Sequence, residues 1–187
     1  GDIHTKNQLA AGLDSRDTAK TFIYAKIYGS GIKGLAETCD MSVKDMKKVA
    51  ASFDANLPAL VKLTEAVKHT IRVKGYVKAL DGRKIYCSSE HAALNYLLQS
   101  GGSIICKNWM NRIHEVLRLR DISYTDYFKQ QAYSHDEIQA AYDNKKVTHE
   151  ELHLISKESM TFVQKKLGVK IKLDSDSKSG DNWADTH

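Results

Sequence analysis

Arg16-Asp17-Thr18-Ala19-Lys20-Thr21-Phe22-Ile23-Tyr24-Ala25-Lys26-Ile27-Tyr28-Gly29 is the stretch on which the fold of this chain turns. Asp14 or Ser15 can cap a helix here, and Gly29 and Gly31 stop it near Tyr28. Within it, Arg16, Lys20, Tyr24 and Tyr28 recur at four-residue intervals. Each interval advances about 400° around a helix, so the four side chains form one slowly drifting stripe. Two cations at a helix start oppose the helix dipole. They gain a reason if an anion such as a triphosphate docks there. The two tyrosines beyond offer flat faces to a sugar or a base. The same spacing also fits an ordinary amphipathic helix. Gly29-x-Gly31-x-x-Gly34 matches the dinucleotide fingerprint in letters only. That fingerprint follows a strand, whereas here it follows a helix, so it reads as a helix stop and then a loop.

Outward from this stretch the first half is helical. Thr5 can cap a short helix that Gly12 ends, and Ser42 opens another. Pro58 suits a first helical turn, and residues 59–73 carry Leu60, Leu63, Val67 and Ile71 on one stripe. Asp81-Gly82 predicts a hairpin between residues 76–80 and 83–87. A long helix follows over 90–118, capped by Ser88 or Ser89. Gly101-Gly102 weakens it and implies a close packing partner or a bend. His91, Asn95 and Gln99 form a second four-residue stripe. Such side chains can donate to minor-groove acceptors, and equally can face solvent.

Residues 128–133 and 138–142 read as strands around Ser134-His135-Asp136-Glu137. Adjacent carboxylates at a tight turn suit a magnesium ion, or one wall of a two-metal phosphoryl-transfer site. A polar hairpin turn explains the same letters. Thr148 and Glu151 form a capping-box pattern for a helix ending near Gly168. Residues 169–173 read as a short last strand, and the chain is polar from Asp174. His149-Glu150-Glu151-Leu152-His153 matches the H-E-x-x-H helix of zinc proteases. It overlaps the capping box, and only Asp174 and Asp176 offer themselves as a third ligand.

The 187 residues allow one ordinary domain or two very small ones. No apolar run approaches a membrane span, so no membrane partner is expected. Cys39, Cys87 and Cys106 form no C-x-x-C pair, which fits a reducing, cytoplasmic compartment. The net charge of +5 is uneven. Residues 61–120 hold 11 Lys/Arg against 4 Asp/Glu, a net +7, while residues 121–187 hold 9 against 12, a net −3. A basic middle suits contact with a polyanion or a solvated helical face.

In order along the chain these pieces resemble one family. Residues 16–29 are similar to motif B of the family A, polymerase I-like DNA polymerases, and Ser134-His135-Asp136-Glu137 is similar to their motif C. Gly1-Asp2-Ile3-His4-Thr5 resembles the segment before motif B. Residues 91–100 resemble the helix between the two motifs. Asn182-Trp183-Ala184 with His187 resembles the C-terminus of short-tailed phage replicative polymerases.

The resemblance implies an α+β chain. Residues 1–75 would be a mostly helical fingers subdomain, and residues 76–187 the C-terminal part of an antiparallel-sheet palm. It implies that His4, Arg16 and Lys20 bind a deoxynucleoside triphosphate, that Lys20 also protonates the leaving pyrophosphate, and that Tyr24 packs on the sugar. With Tyr at position 24, it further implies tolerance of dideoxynucleotides. Tyr28 and Gly29 would flank the templating pair. His91, Asn95 and Gln99 would follow the minor groove of primer–template DNA, and His135 would approach the primer end. Asp136 would hold Mg2+ in a two-metal site, supported by Glu137.

Two departures stand out. Family members carry a basic residue just before the position of His91, where Cys87-Ser88-Ser89-Glu90 has none. The segment between the long helix and motif C is also short. The family's motif A, with the second metal carboxylate, and its thumb are expected before Gly1. The expectation is therefore a chain inactive alone, completed by an N-terminal polymerase polypeptide in the cytoplasm, that of the host cell if the chain is phage-encoded. A zinc protease built on His149, Glu150 and His153, or a non-catalytic DNA-binding module, are the other readings.

Overall fold

A computed structural model describes residues 2–122 and 126–186. Gly1 and His187, which enter the resemblance above, lie outside the described residues, as do residues 123–125 of the short segment before motif C. The chain forms two compact units, Gly1–Gln99 and Ser100–His187. Helices dominate and two small antiparallel sheets accompany them, an α+β chain.

The first unit holds α1 (Ile3–Ala11), α2 (Arg16–Ile27), α3 (Ile32–Thr38), α4 (Val43–Asn56) and α5 (Pro58–Lys74). Its strands are β1 (Tyr76–Lys78) and β2 (Lys84–Tyr86), paired in the expected hairpin. Ser15 caps α2 by accepting from the Thr18 amide, and Ser42 caps α4 by accepting from the Asp45 amide. Pro58 occupies the first turn of α5.

The face of α2 that carries Ala19, Phe22 and Ile23 is buried. Phe22 meets Phe53 of α4 edge to face, with centroids 5.2 Å apart, and both rings are fully buried. Burying each side chain contributes roughly 1.5–3 kcal/mol. Leu35, Ala36, Met46 and Val49 complete this core. Ser52 and Asn56 of α4 both donate to the Ala10 carbonyl, which ties α4 to the end of α1. Because the apolar side of α2 is committed inward, Arg16, Lys20, Tyr24 and Tyr28 are left outward, and all four are exposed.

Three local expectations change here. Asp2, not Thr5, caps α1; its carboxylate accepts from the His4 and Thr5 amides. The segment after Gly29 is not a loop but contains α3, with Gly34 inside it. A helical glycine costs about 1 kcal/mol, and burial of Leu35 and Ala36 outweighs it. The long helix α6 (Ala93–Leu119) starts later than expected; before it, Ser89 accepts from the His91 amide. It runs unbroken through Gly101-Gly102, and a Cβ on Gly102 would meet nothing within 4 Å. No packing partner therefore stands at Gly102 among the described residues.

In the second unit β3 (Phe128–Ser134) pairs antiparallel with β4 (Glu137–Tyr142). The register runs from Phe128↔Tyr142 to Ser134↔Glu137, with an irregularity between Gln130 and Ala132. Helix α7 (His149–Lys166) opens on the complete Thr148–Glu151 capping box. Trp109, Leu117, Phe128, Ile155 and Val163 form the core, and the Trp109 indole N–H donates to the Ser156 carbonyl at 3.0 Å. Residues 169–173 are not a strand. Among the described residues no sheet edge pairs with them; instead the Leu173 amide donates to the Gln164 side chain at 2.8 Å. The polar tail ends in a 3-10 turn, Trp183–Thr186. No described helix is long and apolar enough to cross a membrane.

Candidate functional site

The outward stripe of α2 is joined by the start of α1. The Arg16 guanidinium donates to Asp2, Nε to Oδ2 at 2.6 Å and Nη2 to Oδ1 at 3.4 Å. This holds the Asp2 carboxyl well below the usual carboxylate range and raises Arg16 in turn. The His4 ring lies 6.0 Å from that of Tyr24, which lies 6.2 Å from that of Tyr28. His4, Tyr24 and Tyr28 thus form a row of neighbouring rings, with Arg16 held beside its start by Asp2 and Lys20 exposed one turn from both Arg16 and Tyr24. The His4 Nδ1 is buried and has no hydrogen-bond partner among the described residues. A buried ring nitrogen left unpaired is costly in a purely structural side chain. One cation from Arg16, one from Lys20 and a ring nitrogen suit a polyanion, while two phenol rings suit a planar or sugar-bearing group.

The end of α2 abuts the residues leading into α6. Gly29 has φ +91°, and a Cβ built on it would stand 2.4 Å from the His91 carbonyl oxygen. Here only glycine provides both the left-handed backbone and the closeness of approach. The Gln99 amide donates to the Tyr28 hydroxyl at 3.3 Å. Asn95 Oδ1, one turn before Gln99, is buried with no partner among the described residues. The candidates Tyr28, Gly29, His91 and Gln99 are therefore brought together by two contacts, Tyr28 with Gln99 and Gly29 with His91. Asn95 shares their helix.

In the second unit His135 and Asp136 form the two-residue tip of the β3–β4 hairpin. His135 has φ +52°, the sign that hairpin twist favours at the first tip position. Asp136 is exposed, while Glu137 is half-buried and accepts from the Gln139 amide. The Cys106 thiol of α6 is pushed up, first by burial and then by the Asp136 charge. Tyr133 is raised by burial, then by Cys106 and Asp136. A cavity of about 620 Å³ adjoins the hairpin, lined among others by Trp109, Phe128, Asp136, Glu137 and Trp183. The oxygens of Asp136 and Glu137 fit a hard cation in kind. Among the described residues no three His, Cys, Asp or Glu side chains gather closely enough to enclose a metal ion.

That holds equally for His149-Glu150-x-x-His153. Both imidazoles bond the single Ser177 hydroxyl, His149 Nε2 at 2.9 Å and His153 Nδ1 at 2.8 Å. Glu150 is exposed, and Glu151 is consumed by the helix cap. Asp174 pairs with Lys172 and Lys157, and Asp176 accepts from the Ser177 amide. The zinc expectation is corrected accordingly: these letters are a capped helix start to which the tail is clasped. Asp2 is the residue the sequence reading missed. An aspartate directly before a helical run is a cap signal, but Thr5 drew that assignment.

The sequence matches the family described as DNA polymerase family A over residues 2–185. The DNA-directed DNA polymerases of Enterobacteria phage T3 and Escherichia phage T7 are each 36% identical to the whole of this chain. The chain spans only 29% of the length of either. Among solved structures, the POL domain of Pol1 from M. smegmatis, in complex with DNA primer-template and dNTP, superposes with a TM-score of 0.75. That likeness covers 87% of this chain and 31% of that one at 21% identity, a likeness of fold.

Proposed function

This chain belongs to DNA polymerase family A, and on that premise we propose that it forms the fingers (residues 1–75) and the C-terminal part of the palm (residues 76–187) of a template-directed DNA polymerase. Its reaction is attack of a primer 3′ oxygen on the α-phosphorus of a deoxynucleoside triphosphate. The new P–O bond replaces the bond to pyrophosphate, and the primer hydroxyl loses its proton. The observation that carries the reading is the outward line Arg16, Lys20, Tyr24 and Tyr28 with His4 beside it, turned away from a core that needs none of them.

Phosphoryl transfer demands positioning and charge neutralisation more than covalent participation. Arg16, Lys20 and His4 bind the triphosphate, and Lys20 gives a proton to the leaving pyrophosphate. Tyr24 packs on the sugar, and Tyr28 and Gly29 border the templating pair. His91, Asn95 and Gln99 follow the minor groove, whose acceptors occur in every base pair. His135 approaches the primer end. Asp136, with Glu137 beside it, would be this chain's ligand for Mg2+, which when bound neutralises charge on the attacking and leaving oxygens. One carboxylate does not complete such a site. The second carboxylate and the thumb are assigned to an N-terminal polymerase polypeptide, without which this chain does not extend primers.

The nucleotide-binding part of the reading is tested by titrating the full chain with a deoxynucleoside triphosphate and Mg2+. Lys20→Ala is expected to weaken binding about tenfold or more, the scale of one lost charge-assisted hydrogen bond. Unchanged affinity would remove Lys20 from the site.

A further inference from the structure

The Asp2 carboxylate sits where two helix starts meet. It caps α1, accepting from the His4 and Thr5 amides and from the Thr5 hydroxyl. It also receives Nε and Nη2 of Arg16, fourteen residues later, at the start of α2. The remaining guanidinium nitrogen, Nη1, lies 3.8 Å from Asp17, its one ion-pair contact among the described residues. Both partners of the Asp2–Arg16 pair are substantially exposed, 40% and 50%. The cap accounts for the donors from His4 and Thr5, but exposed ion pairs add little to stability, so folding is a poor explanation for the two further bonds from Arg16. Orientation is a better one. An arginine that must be ordered at the moment of binding gives up affinity, and one already held in place does not.

We propose that Asp2 is a positioning residue of the triphosphate site: it fixes the Arg16 head and, through the α1 cap, the backbone of His4, leaving Arg16 Nη1 for a phosphate oxygen. This role rests on the reading of His4, Arg16 and Lys20 as triphosphate ligands. The clamp persists in mild acid, because the Arg16 bond, followed by that of Thr5, holds the Asp2 carboxyl far below its ordinary range.

The test uses calorimetric titration of the full chain with a deoxynucleoside triphosphate and, separately, with inorganic tripolyphosphate. Wild type, Asp2→Asn, Asp2→Glu and Lys20→Ala are compared. Asparagine caps helices about as well as aspartate, so Asp2→Asn keeps α1 and removes only the charged clamp. Its Kd is expected to rise about fivefold for both ligands, the scale of ordering one long side chain on binding. The thermal midpoint should stay unchanged, and Asp2→Glu should recover part of the loss. Equal affinity of Asp2→Asn and wild type, with Lys20→Ala still weakened, overturns the role of Asp2 and leaves the nucleotide reading intact. Tighter binding by Asp2→Asn also overturns it, since the carboxylate would then compete with phosphate. Binding indifferent to Lys20→Ala overturns the nucleotide reading and this role together.

Discussion

Asp136→Ala is expected to abolish nucleotide addition by the completed enzyme while leaving the fold and most primer–template binding in place. Asp136 lies exposed at the tip of the β3–β4 hairpin, so its removal opens no cavity. In the proposed reaction it is this chain's principal metal ligand. Metal-borne charge stabilisation supplies several kcal/mol, and each ~1.4 kcal/mol is tenfold in rate. The expected fall in rate is therefore about 10³-fold or more. Single-turnover primer extension measures it, and a DNA-binding titration on the same protein separates chemistry from binding. In the proposed reading, DNA binding rests on contacts that this substitution spares, those of His91, Asn95 and Gln99. A variant that extends primers at near wild-type rate would remove Asp136 from the catalytic site.

Gly29→Ala has the largest expected effect on structure. Two penalties coincide at Gly29. Its φ of +91° is a backbone state that L side chains rarely adopt, and the added methyl would lie 2.4 Å from the His91 carbonyl oxygen and 2.9 Å from its carbon. Both clashing atoms are backbone, so no side-chain rotation relieves them. Backbone strain of this kind costs about 1–3 kcal/mol, and overpacking about 1–3 kcal/mol more. The substitution should lower the thermal midpoint by several degrees, at roughly 2–4 °C per kcal/mol for a chain of this size. It should also part the end of α2 from His91, weakening the Tyr28–Gln99 bond and with it primer extension. Gly31→Ala is the control. Gly31 lies outside the positive-φ glycines, and its Cβ would meet nothing within 4 Å. Equal midpoints for the two variants would show that the close approach to His91 carries no weight.

These two cases mark how far the sequence could be read. The tip of the motif C hairpin was legible because two apolar-rich runs flank a four-residue polar turn. The α2 stripe was legible because helical periodicity alone puts Arg16, Lys20, Tyr24 and Tyr28 on one line. What periodicity left open was which face looks inward, and Phe22 packing on Phe53 decides that. Helix α3 was missed because local propensity argues against it, with glycine at 31 and 34 and only seven residues to span. Its burial of Leu35 and Ala36 is a tertiary effect that a local reading does not contain. The expected strand over 169–173 failed for the converse reason: its β-rich letters had no edge to pair with, and a side chain of α7 took the Leu173 amide.

Contacts between distant positions were the least legible. The Asp2–Arg16 clamp, the Gly29–His91 approach, the Tyr28–Gln99 bond and the clasp of His149 and His153 on Ser177 each join residues far apart in sequence. No spacing rule reports such pairs. The last of them explains why a zinc-protease pattern could appear in the letters without its chemistry. Two histidines at helical spacing share a face whatever lies opposite, and here a serine hydroxyl lies opposite.

Primer extension by the purified chain, alone and mixed with a polypeptide carrying the proposed motif A and thumb, tests the central claim most directly. With primer–template DNA, all four deoxynucleoside triphosphates and Mg2+, the chain alone is predicted to add no nucleotides, and the mixture to synthesise DNA. Robust synthesis by the chain alone would contradict completion of the active site by a second segment. DNA binding that persists while the mixture stays silent would contradict a catalytic role, leaving a non-catalytic DNA-binding module.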